Sequence, residues 1–233
     1  MGKIGGIDMI RRTKFWKRVI CALLLSLTLV GVSTPTVRAE TTAPRYELSE
    51  TMVNRKEVRG KILLDLPHQD TAQDNGASYG GVTERELAES ISLKVKTILE
   101  QNGVEVVLVR EQGQSMSLGD RIYKANSIGE YDYFISLHIN SCARENTGTG
   151  VEGYSCGAWT LTNKILKGLS NEFGYLNRGL YYSPYYNSQI KQNNTLIELG
   201  FINNEYDRGN LINKQDTYAR VISDAILENL NNK

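Results

Sequence analysis

The chain has 233 residues, with 27 Lys and Arg against 26 Asp and Glu, and 40% of its residues are apolar. That is enough for one sizeable domain with its own core. Without residues 1–39, which form a basic leader, 20 basic residues face 25 acidic ones, a net charge of −5. That sign, with no cluster of Lys and Arg beyond the leader, excludes nucleic acid as the partner.

Lys3, Arg11, Arg12, Lys14, Lys17 and Arg18 precede an apolar run at 19–32, and Val37 and Ala39 stand where a signal peptidase reads. The run is shorter than the roughly 20 residues of a membrane span. Residues 1–39 are therefore expected to be a signal peptide cleaved after Ala39, the alternative being an uncleaved anchor. The expected destination is outside the cell, in the wall or the periplasm, with the membrane met only through the leader. Residues 40–60 are polar, without apolar period, and read as a linker or mobile arm. Residues 61–233 remain for a single domain. Cys21 lies in the leader, and Cys142 and Cys156 fit no CxxC metal site. Export permits a disulfide between them, and two unpaired thiols are the alternative.

In chain order, KILLDL (61–66) reads as a buried strand followed by a polar loop that carries His68. Thr83 and Glu86 form a capping box, and Leu87, Ile91, Val95 and Ile98 continue at helical spacing to about Gln101, where Asn102-Gly103 stops the helix. A strand is expected at 103–110 and a helix at 117–127. The run Tyr133–Leu137 reads as a strand that ends in His138, the only other histidine. A strand at 150–156 and a helix marked by Leu161, Ile165, Leu169 and Phe173 follow. Residues 175–193 are rich in Tyr and Asn and show no period. TLIELGF (195–201) reads as a strand, and helices near 204–213 and at 216–230 finish the chain. Strands alternating with helices predict an α/β three-layer domain with a mostly parallel sheet.

In open α/β sheets ligands bind outside the carboxyl ends of the strands. His68 and His138 each follow an apolar run and so belong at that edge. Glu198 lies among Leu196, Ile197, Leu199 and Phe201. A carboxylate there is costly when ionised, which raises its pKa and suits a general base. Catalytic zinc sites take three ligands from His and carboxylate and leave one position open. The spacing lacks HExxH logic, and two histidines at strand ends are also ordinary polar residues.

Six motifs in order add to this. KILLDLPHQD, the Asp74, Gly76, Ala77 segment, GVTERELAESISLKVKTILEQNGVEVVLVR, RIYKANSIGEYDYFISLHINS, GVEGY and TLIELGFINNEYD together resemble the zinc-dependent N-acetylmuramoyl-L-alanine amidases of the Amidase_3 family. The resemblance covers about 61–230. It implies Zn2+ held by His68, Glu84 and His138, with Glu198 as the catalytic glutamate. The implied reaction is hydrolysis, on a peptidoglycan substrate, of the amide between N-acetylmuramic acid and L-alanine. Asn140 and Arg178 are candidate substrate contacts, Asn140 being equally a cap for the loop after its strand. Tyr181, Tyr182, Tyr185 and Tyr186 are candidates for a groove wall, or ordinary loop tyrosines. Glu84 alone would read as a carboxylate favoured at a helix start.

The chain departs from the family pattern at its first histidine. Pro67 and Gln69 flank His68 where the family has glycines, and the stretch from His68 to Asp74 is about two residues longer. Glycine permits φ > 0 and close approach, whereas Pro67 removes an N–H. On this ground a non-catalytic wall-binding or regulatory relative stays open, and a zinc peptidase acting on the stem peptide is a further alternative.

Overall fold

The computed structural model describes residues 60–69 and 74–233. The expected signal peptide at 1–39 and nearly all of the expected 40–60 linker lie outside the described residues. Six strands form one sheet in the order β4-β1-β5-β8-β6-β7. They are β1 (Gly60–Asp65), β4 (Val104–Leu108), β5 (Tyr133–Asn140), β6 (Val151–Cys156), β7 (Asn177–Tyr182) and β8 (Asn194–Phe201). All neighbouring pairs are parallel except β6 with β8. The expected mostly parallel sheet is present, with β6 and β7 reversed as an edge pair.

Alternation along the strands assigns the two faces. Ile62 and Leu64, Ile135 and Leu137, and Ile197 and Leu199 join the larger core, beneath α1 (Glu84–Gln101), α3 (Trp159–Phe173) and α5 (Gln215–Asn231). Continuous apolar strands are what a sheet covered on both sides requires. Leu63 and Phe134 face the other way, into a smaller core with Ala125 of α2 (Leu118–Ser127) and Ile190. Helix α4 (Glu205–Asn213) lies between β8 and α5 in the chain. Among the described helices none is long and apolar enough to cross a membrane.

Local signals hold where they rest on backbone chemistry. Thr83 caps α1, its hydroxyl accepting from the Glu86 amide while the Glu86 carboxylate accepts from the Thr83 amide. Ser117 caps α2 in the same way through the Asp120 amide. Residues 175–193 differ from expectation: they contain β7 and a 3-10 turn at Tyr186–Gln189. Strand β7 is an edge whose residues are mostly exposed, so it needs no apolar period; its pairing with β6 holds it. The strand expected at 103–110 stops at Leu108, and Arg110 is buried instead for another purpose. Cys142 and Cys156 are free thiols, not joined in a disulfide.

Candidate metal and hydrolytic site

Four elements deliver the site. His68 lies three residues beyond β1, and Glu84 is the first residue of α1. His138 and Glu198 sit opposite one another in the β5–β8 register. The register slips between His138 and Asn140, a bulge of the kind that re-aims side chains beside sites. The path to Glu84 runs through a short hairpin, β2 (Ser78–Tyr79) and β3 (Val82–Thr83), whose turn glycines Gly80 and Gly81 both have positive φ.

Glu84 joins the two histidines. Its Oε1 lies 2.9 Å from His68 Nε2 and 3.0 Å from His138 Nδ1, and accepts from the Ile139 amide at 3.2 Å. Its Oε2 accepts from the Ala77 amide at 2.9 Å. Burial pushes this carboxyl upward, but His138 and His68 outweigh it and hold it well below the usual range. Gly76 packs against this group: with φ of 68°, an added Cβ would lie 2.5 Å from Glu84 Oε2 and 2.8 Å from His68 Nε2. Gly76 is therefore required by close approach and by backbone conformation together.

His68 adopts φ of 58°, the left-handed region, despite carrying a side chain. Its Nδ1 is 2.7 Å from Asp74 Oδ1. A carboxylate on one ring nitrogen fixes the tautomer and turns the other toward a metal. Burial lowers the His68 pKa, yet Glu84 and Asp74 together raise it above the ordinary value. The donor atoms of His68, Glu84 and His138 all lie within 4.8 Å of one another, so the three form a group that can hold a metal ion. The fit is supported by His138 Nε2, a buried nitrogen that makes no hydrogen bond among the described residues. Two imidazoles and a carboxylate are the donor set of a hydrolytic zinc site.

Glu198 completes the edge. Its Oε2 is sealed from solvent and has no hydrogen-bond partner among the described residues. Burial, followed by the charges of Glu84 and Glu152, raises its pKa well above the ordinary carboxylate value. Asn140 and Arg178, expected near substrate, converge on Glu152. Asn140 Nδ2 donates to Glu152 Oε1 at 2.7 Å and Arg178 Nε to Oε2 at 2.8 Å. Asn140 also caps its own loop, Oδ1 accepting from the Ser141 amide. Arg178 is the extra residue where β6 and β7 lose register, and its guanidinium lies over the Phe201 ring. Glu152, opposite Glu198 in the β6–β8 register, is thus a site residue that the sequence left without a role. Its signal was present in GVEGY, but only pairing shows which face the carboxylate takes. Tyr154 donates to Glu152 and packs edge-on to Tyr185 at 4.8 Å, with Tyr181 beside it. Tyr181, Tyr182 and Tyr185 are exposed, whereas the Tyr186 hydroxyl is bonded to Asp65 and Ser136.

Known proteins show the same arrangement of chain. Two solved structures align over most of the domain. One is the N-acetylmuramoyl-L-alanine amidase AmiC2 of Nostoc punctiforme, with TM-score 0.68 and 26% identity, covering 74% of this chain and 97% of that one. The other is the catalytic domain of CwlV, an N-acetylmuramoyl-L-alanine amidase of Bacillus (Paenibacillus) polymyxa var. colistinus, with TM-score 0.65 and 27% identity, covering 75% and 99%. Among curated relatives, the N-acetylmuramoyl-L-alanine amidase LytC of Bacillus subtilis (strain 168) is 31% identical over 172 residues, 71% of this chain and 34% of its own length. The sporulation-specific N-acetylmuramoyl-L-alanine amidase of that organism is 41% identical over 96 residues, 40% of this chain and 35% of its own. The chain spans about a third of the length of these two relatives. The family profile described as N-acetylmuramoyl-L-alanine amidase matches residues 62–231, which run from β1 to the end of α5 and include all four residues of the sheet edge. By that match the chain belongs to the Amidase_3 family.

Proposed function

We propose that this protein is an exported, zinc-dependent N-acetylmuramoyl-L-alanine amidase that cuts the amide between N-acetylmuramic acid and L-alanine in peptidoglycan. The observation that carries the reading is the convergence of two imidazoles on one buried carboxylate, with a second, proton-binding carboxylate beside them at one sheet edge. His68, Glu84 and His138 would hold the ion. When bound, zinc supplies Lewis acidity toward the scissile carbonyl and its attacking water.

The chain's own residues supply the rest. Asp74 orients the His68 ring, and the Ala77 and Ile139 amides orient Glu84. Glu198 takes the proton of the attacking water at its carboxylate and returns one to the leaving nitrogen of L-alanine. Its raised proton affinity suits both halves of that exchange. Glu152, held by Asn140, Arg178 and Tyr154, keeps a negative charge beside Glu198 and sustains that affinity. Asn140 and Arg178 reach substrate at the rim of this cluster. Export follows from the leader at 1–39, with Glu40 as the mature N-terminus.

Purified peptidoglycan digested with and without a chelator tests the reading. We expect new free L-alanine amino termini, abolished by the chelator and restored by zinc. Other new termini would mean a stem-peptide peptidase, and no release by zinc-loaded protein would mean a non-catalytic relative.

A further inference from the structure

Arg110 is fully buried and is the largest wholly buried side chain among the described residues. A guanidinium carries five donors in one plane and cannot shed its charge, so each donor needs a partner. Here three of its hydrogen bonds go to one loop. Nε donates to the carbonyls of Leu66 at 2.8 Å and His68 at 3.0 Å, and Nη2 to that of Pro67 at 3.0 Å. Nη1 holds the carbonyls of Glu111 and Gln114 at 3.1 and 3.3 Å. Nη2 also pairs with the buried carboxylate of Glu89 at 2.8 Å.

Three consecutive carbonyls turned onto one guanidinium fix the peptide planes on both sides of His68. That residue sits at φ of 58°, a conformation a side chain disfavours. Pro67 has no N–H with which to hold the turn itself. Glu89 belongs to α1, the helix that begins with Glu84. One buried ion pair therefore ties the loop carrying the first candidate ligand to the helix carrying the second.

We propose that Arg110, anchored by Glu89, is a positioning residue that sets the His68–Glu84 geometry for metal binding. It stands in for the backbone freedom that Pro67 and Gln69 remove. The inference rests on the metal-site reading above. Arg110→Lys keeps the charge but presents its donors from one point, which cannot span three carbonyls. Glu89→Gln keeps the shape and removes the anchoring charge. The measurements are zinc affinity by competition with a chromophoric chelator, the visible absorption of the cobalt-substituted protein, and circular dichroism and melting of the metal-free protein.

We expect folded Arg110→Lys to bind zinc about 10- to 100-fold more weakly, as when a group supporting a ligand is lost, with an altered cobalt spectrum. Glu89→Gln should shift both in the same direction by less. Wild-type zinc affinity and cobalt spectrum in the folded variants, even with a lowered melting point, would overturn the inference and leave Arg110 as a structural staple. If Arg110→Lys does not fold, wild-type zinc affinity in Glu89→Gln overturns it alone. A wild type that binds neither metal would instead refute the proposed function.

Discussion

Two glutamates two positions apart divide the start of α1. Glu84 turns to the histidines and to the amides of Ala77 and Ile139, while Glu86 closes the capping box with Thr83. The capping box was legible from Thr83 and Glu86 alone, because its chemistry is local. The role of Glu84 was not: a carboxylate at a helix start has a sufficient reason there already, and only the family resemblance singled it out. Asp74, Gly76 and Glu152 needed the fold, since Asp74 meets His68 only through the folding of their loop and the partners of Gly76 and Glu152 include residues of other elements. Glu84→Gln should therefore lose most bound zinc. Glu86→Gln should keep its zinc and lose at most about 1 kcal/mol, the scale of a helix cap. Metal analysis and thermal melting of both variants check this; the reverse order of zinc loss would mean that the third ligand is misplaced.

The elements with strong apolar period or clear caps appear close to where the sequence puts them. β7 does not, because an exposed edge strand is defined by its neighbour rather than by its own pattern. The smaller core shows how elements report on pH. Tyr131 packs there with Leu63, Val109, Ala125 and Phe134, and its hydroxyl donates to the Ala125 carbonyl at 3.2 Å. Burial pushes its pKa up to about 12. Above pH about 10 the unfolded chain gives up a proton that the fold retains. The stability held by neutral Tyr131 is thus fully present below about pH 10 and is lost as pH rises toward 12. Burial acts in the same direction on Tyr154, Tyr175 and Tyr218. We expect Tyr131→Phe to flatten part of the alkaline fall without abolishing it, as read from urea midpoints over that range. An unchanged slope would mean that the hydroxyl is hydrated in the fold.

At the scale of the molecule, the parallel sheet is what makes the site. β1, β5 and β8 lie side by side and run the same way, so His138 and Glu198 meet in register and His68 arrives beside them. The histidines at strand ends were visible in the sequence as members of one edge. The second carboxylate next to Glu198 was not, because β6 runs opposite to β8 and brings Glu152 from its second residue rather than from its end. In the proposed function Glu198 moves the proton in a zinc-dependent amide hydrolysis. It is tested most directly by the rate at which zinc-loaded wild type and Glu198→Gln create free L-alanine amino termini in purified peptidoglycan, normalised to folded protein. We expect the variant to fold, keep its zinc, match or exceed wild-type stability, and turn over roughly 100- to 10,000-fold more slowly. A destabilised variant with wild-type turnover per folded molecule would contradict the claim and make Glu198 a structural carboxylate.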